Sequence, residues 1–468
     1  MDTDAASSRV SPQLACRQLD WDIDTRTLFG HFAHLPWAVL LDSADASHQD
    51  ARYDIICAAP IATLVTRGAQ TELSHWQAGK PSHSERLSQE PFALLSGTLQ
   101  RLFPEAKTSR FPFGGGALGS FSYDLGRRIE KLPATSRRDI ELPEMNIGFY
   151  DWALIFDYQD KGWHLLHYRG EAALELELQR LEASLLSTRE TLAFALTSPW
   201  QKQITQAEYA EKFARVQEYL HSGDCYQINL TQRFSADYQG DEWQAYCKLR
   251  QANAAPFSAF MRLPQQALLS ISPERFIQLR GDQIQTKPIK GTLPRHADPV
   301  LDAAAAKRLQ ASPKDRAENL MIVDLLRNDI GKVASPGSVS VPALFEVESF
   351  PAVHHLVSTV CATLAPQYGA TDLLRAAFPG GSITGAPKIR AMQIIEELEP
   401  ARRSLYCGSI GYLSQDGQMD TSITIRTLVA EGGKLYCWAG GGIVADSQME
   451  AEYQESFDKV SRILPLLE

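Results

Sequence analysis

Short hydrophobic runs separated by turn-forming residues fill roughly the first 200 positions of the chain. Their content of Val, Ile, Leu and aromatic residues predicts β-strands over 37–43, 53–66 and 146–158. Over 171–187 the leucines recur at helical spacing instead, which predicts a helix. This part of the chain is therefore predicted to consist mainly of strands.

From Trp200 onward the pattern also marks where helices begin and end. Thr205 and Glu208 form a capping box, apolar residues follow on one helical stripe, and Gly223 ends the helix. The spans 314–333 and 448–464 predict two further helices. Further strands are predicted over 226–234, 267–280, 283–292, 409–414, 422–430 and 434–444.

The order of these elements predicts the fold class. Strands in runs with irregularly interspersed helices are typical of an α+β fold, an α/β sandwich. We divide the chain into two regions, 1–197 and 198–468. The hydrophobic block from Leu320 to Leu326 runs nearly all round its helix, which predicts that this helix is buried. Pro465 is expected to end the last helix.

Composition and charge narrow the class of protein. Hydrophobic residues make up 44% and charged residues 22% of the 468, as in ordinary globular proteins. The net charge of −10 argues against a nucleic-acid partner, and an anionic substrate would need a few placed cations or a metal ion. Seven scattered cysteines predict reduced thiols and a cytoplasmic location. Without a signal peptide or a long apolar segment, no membrane association is expected.

Paired carboxylates stand out on two of the predicted helices. Glu452 and Glu455 share a helix face with Lys459, and Asp315 and Glu318 lie one turn apart. Taken alone, such pairs are more often solvated ion pairs or stabilise a helix N-terminus. Together, Glu318 and Glu455 could hold one Mg²⁺, with waters and substrate oxygens completing its shell.

Glycine-rich segments add a candidate binding loop. FPGGSITGAPK (378–388) has the GxxxxG spacing of a nucleotide-binding loop but lacks the Lys-Ser/Thr that should follow it. We therefore reject an ATPase. The loop precedes a helix, so its N–H groups could still face a carboxylate. AGGGIV (439–444) would allow close approach of a ligand to the backbone.

Several motifs occur together in a fixed order, and the series resembles the chorismate-utilising enzymes. That family includes anthranilate synthase component I, aminodeoxychorismate synthase component I, isochorismate synthase and salicylate synthase. The resemblance covers essentially the whole chain and implies an anthranilate synthase component I-like fold, with largely antiparallel sheets flanked by helices. The motifs are SPERF (272–276), PIKGT (288–292), DRAEN (315–319), HHLVS (354–358), GGSITGAPK (380–388), SITIRT (422–427), GGGIVADS (440–447) and EAEYQE (450–455).

Lys290, within PIKGT, favours the aminodeoxychorismate synthase branch, because anthranilate synthases carry a small residue there. The resemblance implies that this lysine is a nucleophile. Its amine would attack ring position 2 and expel the 4-hydroxyl, and ammonia would then displace it by attacking position 4. The amine must be neutral, which burial or a nearby cation favours. Strand alternation places Lys287 on the opposite face, where we expect it to be solvated.

The remaining site residues are carried over from the family's motifs. Glu274 matches the general acid that protonates the departing hydroxyl. Gln227 occupies the position where water-adding members carry a lysine, which favours ammonia as the nucleophile. Substrate contacts are expected from Arg426, Tyr406, Gly440, Gly441, Gly442, Lys459, His355, Thr384, Gln227 and Thr292, and metal ligation from Glu318 and Glu455, with Asp315 and Glu452 acting through water.

A tryptophan pocket is also implied by the resemblance. LLDS (40–43) and PFSAF (256–260) resemble its two halves, although Asp42 stands where the family's pocket motif has Glu. The resemblance leaves open whether L-tryptophan is bound there and whether it would be structural or regulatory. The candidate contacts are Ser43, Arg52, Tyr53, Pro256, Phe257 and Ser258.

The resemblance thus implies a Mg²⁺-dependent enzyme that converts chorismate and ammonia to 4-amino-4-deoxychorismate. No amidotransferase segment is recognised, so a separate glutaminase subunit is expected to supply the ammonia. Two alternatives stay open. One is anthranilate synthase component I, which would aminate another ring position. The other is a non-catalytic sensor of chorismate or tryptophan, although the retention of Glu274, Glu318 and Glu455 argues against it.

Overall fold

A computed structural model describes residues 13–77, 79–187, 191–349 and 353–468. Twenty-five strands and eleven α-helices lie in these ranges. The strands are β1 (Ala15–Leu19), β2 (Val39–Asp42), β3 (Tyr53–Cys57), β4 (Ala62–Arg67), β5 (Gln70–Gln77), β6 (Lys80–Leu87), β7 (Gly116–Phe121), β8 (Met145–Tyr150), β9 (Trp152–Asp157), β10 (Gly162–His167), β11 (Ala195–Leu196), β12 (Gln201–Lys202), β13 (Gln227–Gln239), β14 (Phe257–Arg262), β15 (Gln266–Ser272), β16 (Arg275–Arg280), β17 (Gln283–Thr286), β18 (Ile289–Pro294), β19 (Ser340–Ser349), β20 (Val353–Thr363), β21 (Gly385–Ala386), β22 (Ser409–Ser414), β23 (Met419–Ile423), β24 (Thr427–Glu431) and β25 (Lys434–Ile443).

The helices lie between and after these strands. They are α1 (Thr25–Gly30), α2 (Pro91–Leu102), α3 (Glu171–Leu185), α4 (Gln206–His221), α5 (Glu242–Asn253), α6 (Pro299–Ala311), α7 (Pro313–Gly331), α8 (Ala370–Ala377), α9 (Lys388–Leu398), α10 (Met449–Asp458) and α11 (Leu464–Leu467), with 3₁₀ turns at Tyr123–Arg128 and Gly381–Ile383.

Two large antiparallel sheets form the centre of the molecule. Sheet I has the order β1-β10-β9-β3-β2-β14-β15-β24-β25-β13-β11, with β12 and β21 also paired to β13. Sheet II has the order β18-β20-β17-β16-β23-β22-β7-β8-β4-β5-β6, with β19 paired to β20. Strands from both sides of residue 197 lie in each sheet. The predicted α+β class with antiparallel sheets and flanking helices is confirmed.

Both faces of sheet I are covered, which explains its continuous hydrophobic runs. Val39 and Ile55 belong to the core between the two sheets. Leu40 and Ile56, their neighbours in sequence, point the other way and pack under α1, α3 and α5. A third cluster packs α4, α9 and α10 against β13 and β25.

Four runs predicted as single strands instead cross from one sheet to the other. The run 53–66 divides into β3 and β4, and 146–158 divides into β8 and β9. Likewise 267–280 divides into β15 and β16, and 422–430 into β23 and β24. Hydrophobicity alone cannot reveal such a crossing, because the chain is buried in either sheet. The predicted strand 283–292 also breaks, at Lys287 and Pro288, into β17 and β18.

Two helix predictions were wrong in detail. α7 is amphipathic rather than buried all round, since Leu320 is 44% exposed while Ile322 and Val323 are buried. The last helix ends at Asp458, and Pro465 lies in the first turn of α11 instead of ending a longer helix. Proline lacks an N–H that the first turn does not need, so it begins helices as readily as it ends them.

The capping box at Thr205 and Glu208 forms as predicted.

All seven cysteines lie in the described ranges and are unpaired. Among the helices that the structure describes, none is long and apolar enough to cross a membrane.

Candidate active site

Two of the predicted site residues lie where the chain passes from one sheet to the other. Glu274 lies in the short link between β15 and β16, and Arg426 lies in the link between β23 and β24. Arg426 has a φ of 50°, a left-handed conformation that marks the sharp change of direction there. Lys290 is on β18, and the glycine-rich segment 378–387 connects α8 to α9. Residues far apart in sequence therefore converge near the crossings.

Ser382 lies between the two residues predicted to be catalytic. The Nζ of Lys290 donates a hydrogen bond to the Ser382 carbonyl over 2.9 Å. The Oγ of Ser382 donates to the Glu274 carboxylate over 3.0 Å. Glu274 and Ser382 are both buried. The structure thus brings an amine and a carboxyl group to two sides of one residue.

Their surroundings favour the protonation states that the chemistry needs. Burial raises the pKa of the Glu274 carboxyl, against the opposing effects of Lys290 and the Ser382 hydroxyl. Burial also lowers the pKa of the Lys290 amine, against the attraction of Glu274 and Glu318. A protonated carboxyl can act as a general acid, and a neutral amine can act as a nucleophile.

Lys287 is not solvated as predicted. Its side chain is 13% exposed and forms an ion pair with Glu348 of β19. His48 also lies 3.4 Å from the Glu348 carboxylate. Lys287 lies in the break between β17 and β18, so strand alternation does not apply to it, and alternation could not have shown that β19 covers this side chain.

The carboxylates predicted to bind magnesium come from α7 and α10. An ideal Cβ at Gly441 would lie 3.1 Å from Glu452 Oε2 and 3.3 Å from Glu455 Oε1, so both oxygens lie over this glycine. Ser447 donates a hydrogen bond of 2.6 Å to Glu452. On α7, Asp315 lies against Gly291 of β18, where a Cβ would come within 2.8 Å of its Oδ1.

These carboxylates are suited to a magnesium ion even though they do not form a complete cage. No group of three or more potential ligand side chains is already assembled in the described part of the chain. Mg²⁺ usually needs only one or two carboxylates, with water and substrate oxygens as its other ligands. Burial raises the pKa of Glu318, whose ion pair with Lys314 is long at 4.0 Å. Burial and the nearby Glu455 also raise the pKa of Glu452. A divalent cation would stabilise these carboxylates.

Lys459 and the glycines of β25 lie beside these carboxylates. The Nζ of Lys459 lies 2.7 Å from Glu455 and donates to the Gly440 carbonyl over 2.7 Å. At Gly442 a Cβ would lie 2.2 Å from the Gln227 side chain, so any other residue would have to displace that amide. Gln227 is fully buried, and within the described ranges neither atom of its amide has a hydrogen-bond partner.

Arg426 and His355 provide polar groups for an anionic substrate. Burial, and then repulsion from Arg462, lowers the pKa of Arg426. His355 Nδ1 lies 2.8 Å from the Thr292 hydroxyl. Burial, and then Arg426, lowers the pKa of His355 to about 4, so its imidazole is neutral at pH 7. Tyr406 is buried and stacks on Trp438.

One contact was missed by the sequence analysis. Thr384, which was predicted to lie near the leaving hydroxyl, donates its own hydroxyl to the Gly380 carbonyl over 3.1 Å. It is Ser382, two residues earlier, that contacts Glu274. Both hydroxyl residues belong to GGSITGAPK, so the motif was the signal, but the backbone path decides which one faces the acid.

A second site is a cavity of about 230 Å³ between the two sheets. Arg275 lies in the cavity wall and forms ion pairs with Asp50 and Asp420, each at 2.9 Å. Aromatic rings and both signs of charge surround the space. All six residues predicted for a tryptophan pocket line it: Ser43, Arg52, Tyr53, Pro256, Phe257 and Ser258.

Comparisons with known proteins identify the family and similar structures. The family model described as chorismate binding enzyme matches residues 38–465. The chain is 58% identical over 441 residues to aminodeoxychorismate synthase component 1 of Escherichia coli (strain K12), covering 94% of this chain and 95% of that one. It is 60% identical over 440 residues to the Klebsiella aerogenes protein of the same name, covering 94% and 96%. Anthranilate synthase component I from Streptococcus pneumoniae TIGR4 has a solved structure with a TM-score of 0.78 and 32% identity, over 88% of this chain and 92% of that chain, which confirms the predicted fold.

Proposed function

We propose that this chain, which belongs to the family of chorismate-binding enzymes, is the component of aminodeoxychorismate synthase that acts on chorismate. It would convert chorismate and ammonia to 4-amino-4-deoxychorismate, on the route to 4-aminobenzoate and folate. The observation that carries the proposal is the partly buried Lys290 amine held beside the Glu274 carboxyl through Ser382. Identities of 58% and 60% to proteins of that name support it over the alternatives.

The proposed reaction uses Lys290 as a temporary substituent of the ring. Its neutral Nζ forms a bond to ring carbon 2, both ring double bonds shift by one position, and the C4–O bond breaks. Glu274 gives its proton to the departing oxygen, which leaves as water. Ammonia then bonds to carbon 4, both double bonds shift back, and the C2–N bond to Lys290 breaks. The proton released from the incoming nitrogen restores the carboxyl, so the enzyme is regenerated.

Arg426 and His355 would hold the substrate during both steps. The Arg426 guanidinium can meet a carboxylate through two parallel hydrogen bonds. A neutral His355 adds a hydrogen-bonding group without a charge, oriented by Thr292. Lys459, Tyr406 and the glycines of β25 would close the site around the ring.

We further propose that Glu318 and Glu455 hold a Mg²⁺ ion, with Asp315 and Glu452 acting through water. Bound there, the ion would neutralise the repulsion between these carboxylates and a carboxylate of chorismate. The raised pKa values of Glu318 and Glu452 support this assignment, because the protein alone compensates their ionised forms poorly. The pKa of Glu455 is instead lowered, against the effect of burial, by its ion pair with Lys459, so this carboxylate is already ionised for a metal.

Ammonia would come from a separate glutaminase subunit. The relatives' names include the words component 1, which supports the existence of a partner component. We also infer a cytoplasmic location, consistent with seven unpaired cysteines.

L-tryptophan is our candidate for the cavity ligand. The aromatic walls and the paired charges there suit an aromatic zwitterion. If it binds, L-tryptophan should raise the unfolding temperature of the protein, whereas L-alanine at the same concentration should not.

The decisive experiment is product identification. The protein is incubated with chorismate, an ammonium salt and Mg²⁺, with and without a chelator, and the product is identified by mass and by its ring-substitution pattern. We expect the 4-amino product, and its loss with chelator. A 2-amino product would instead indicate the anthranilate synthase reaction, and no amino product would favour a sensor.

A further inference from the structure

We propose that Ser382 is a positioning residue that holds both groups of the proposed reaction: its carbonyl orients the Lys290 amine, and its hydroxyl orients the Glu274 carboxyl. The inference rests on the proposed function and extends it. Ser382 is 6% exposed, and its two hydrogen bonds, of 2.9 and 3.0 Å, leave it little freedom to move.

The carbonyl side of Ser382 controls the direction of the nucleophile. A neutral amine has two N–H bonds and one lone pair. Since one N–H of Lys290 is donated to the Ser382 carbonyl, the lone pair must point away from that oxygen. A flexible four-carbon side chain would otherwise sample many directions, and fixing it lowers the entropic cost of attack.

The hydroxyl side of Ser382 acts on the acid. Its Oγ donates to Glu274 Oε1, which stabilises the ionised carboxylate and holds one oxygen in place. The hydroxyl therefore limits how far burial raises the pKa of Glu274. The titratable and charged groups that also face this carboxyl are Lys290 from β18, Lys459 after α10, Arg426 from the β23–β24 link and Cys407 before β22.

The segment carrying Ser382 is itself held from several sides. The Arg403 guanidinium donates to the Ile383 carbonyl over 2.9 Å and is paired with Glu399 at 2.7 Å. Arg403 is only 1% exposed. On the other side, a Cβ at Gly381 would come within 2.5 Å of Leu325, so α7 packs directly on the backbone. Ser382 is thus presented by a rigid support, as positioning requires.

The test is the pH profile of kcat/KM for chorismate in Ser382→Ala, measured at a fixed concentration of free NH₃. The variant keeps the carbonyl and loses only the hydroxyl. A general acid works while protonated, so the alkaline limb follows the pKa of Glu274. Without the hydroxyl that pKa rises, and we expect the limb to move up by about one pH unit. We also expect kcat to fall about tenfold, because the carboxyl loses its orientation.

Two variants separate positioning from a general structural effect. Ser382→Thr keeps the hydroxyl and should restore the wild-type limb. Ser120→Ala removes another buried serine hydroxyl, which binds Asn146, and should leave the limb unchanged. If Ser382→Ala does not fold, as judged by thermal unfolding, Ser382→Gly removes the same hydroxyl and takes its place.

An unmoved alkaline limb in a folded variant that lacks the hydroxyl would overturn the proposal while leaving the proposed function intact. If the wild-type protein makes no 4-amino product, the proposed function itself fails. The two failures are therefore distinguishable.

Discussion

Glu274 and Arg275 are neighbours in sequence but belong to two regions with opposite electrostatic character. Arg275 faces the cavity, where its charge is matched by Asp50 and Asp420 at 2.9 Å. Arg52, which also lines the cavity, pairs with Asp157 at 3.0 Å. Glu274 faces the active site, where Glu318 has only a long ion pair of 4.0 Å with Lys314, although Glu455 is paired with Lys459 at 2.7 Å.

The difference reflects what each region does. In the cavity wall, ion pairs within the protein satisfy the charges of Arg275 and Arg52. In the active site, charges left partly uncompensated can be satisfied by substrate, metal and transition state, which is where binding energy accelerates a reaction. Such a site costs stability, as functional sites commonly do. Substitutions in the active site should therefore mainly affect activity, and substitutions in the cavity wall should mainly affect stability.

The largest effect is expected from Lys290→Ala. Formation of the 4-amino product should fall by about 10³-fold or more, because the covalent route is lost. The unfolding temperature should stay the same or rise, since a buried amine is removed. Product formation and thermal unfolding are measured together, with Lys287→Ala as the matched lysine control. Unchanged amination by Lys290→Ala would refute the covalent mechanism.

Arg275→Leu tests the other region. Removing this cation leaves Asp50 and Asp420 without their main partner, and we expect a loss of about 3 kcal/mol in the free energy of unfolding. Urea unfolding measures it. Arg86→Ala, which breaks an exposed pair with Glu72, should change stability by less than about 1 kcal/mol. Equal effects from the two variants would mean that the cavity pairs are not structural.

Glu455→Gln should raise the Mg²⁺ concentration needed for half-maximal activity by about tenfold or more, since a charged ligand becomes neutral. The unfolding temperature should change little, because the side chain is 47% exposed. Glu450→Gln, an exposed glutamate on the same helix, is the control. If both variants require the same Mg²⁺ as the wild type, Glu455 is not a ligand.

An effect that depends on pH is expected from Asp54, next to the cavity. Burial, and then repulsion from Asp42, raises the pKa of Asp54 to about 7. An unfolded aspartate has a pKa of about 3.9, so the native state binds the proton more tightly between these values. Stability contributed by the protonated form is full below about pH 4 and is lost as pH rises through about 7.

Asp54→Asn should therefore flatten the decline in unfolding free energy from about pH 4 to 7, by at most about 1.4 kcal/mol per pH unit. Urea unfolding across this range measures the slope. Asp324→Asn, at an exposed pair with Arg327, should leave it unchanged. A wild-type protein whose stability rises over this range in comparison with Asp54→Asn would contradict the assignment.

Much of the fold could be predicted, because hydrophobic runs and caps are local signals. The runs predicted as strands do contain strands, and the helix after Thr205 begins where it was predicted, but several strands such as β5, β6, β19 and β20 were not predicted. The sheet crossings could not be predicted, since a run such as 267–280 is equally hydrophobic whether it stays in one sheet or changes to the other. Those crossings nevertheless place Glu274 and Arg426.

The sequence by itself determined which chemical groups the protein carries, since the ordered motifs single out Lys290, Glu274 and the four carboxylates. Only the tertiary structure decided how they meet: that Ser382 rather than Thr384 contacts the acid, and that Lys287 is covered by β19. The physical reason is that side-chain identity and strand period are local properties. Burial, hydrogen-bond partners and pKa depend on segments distant in sequence, which only the folded chain brings together.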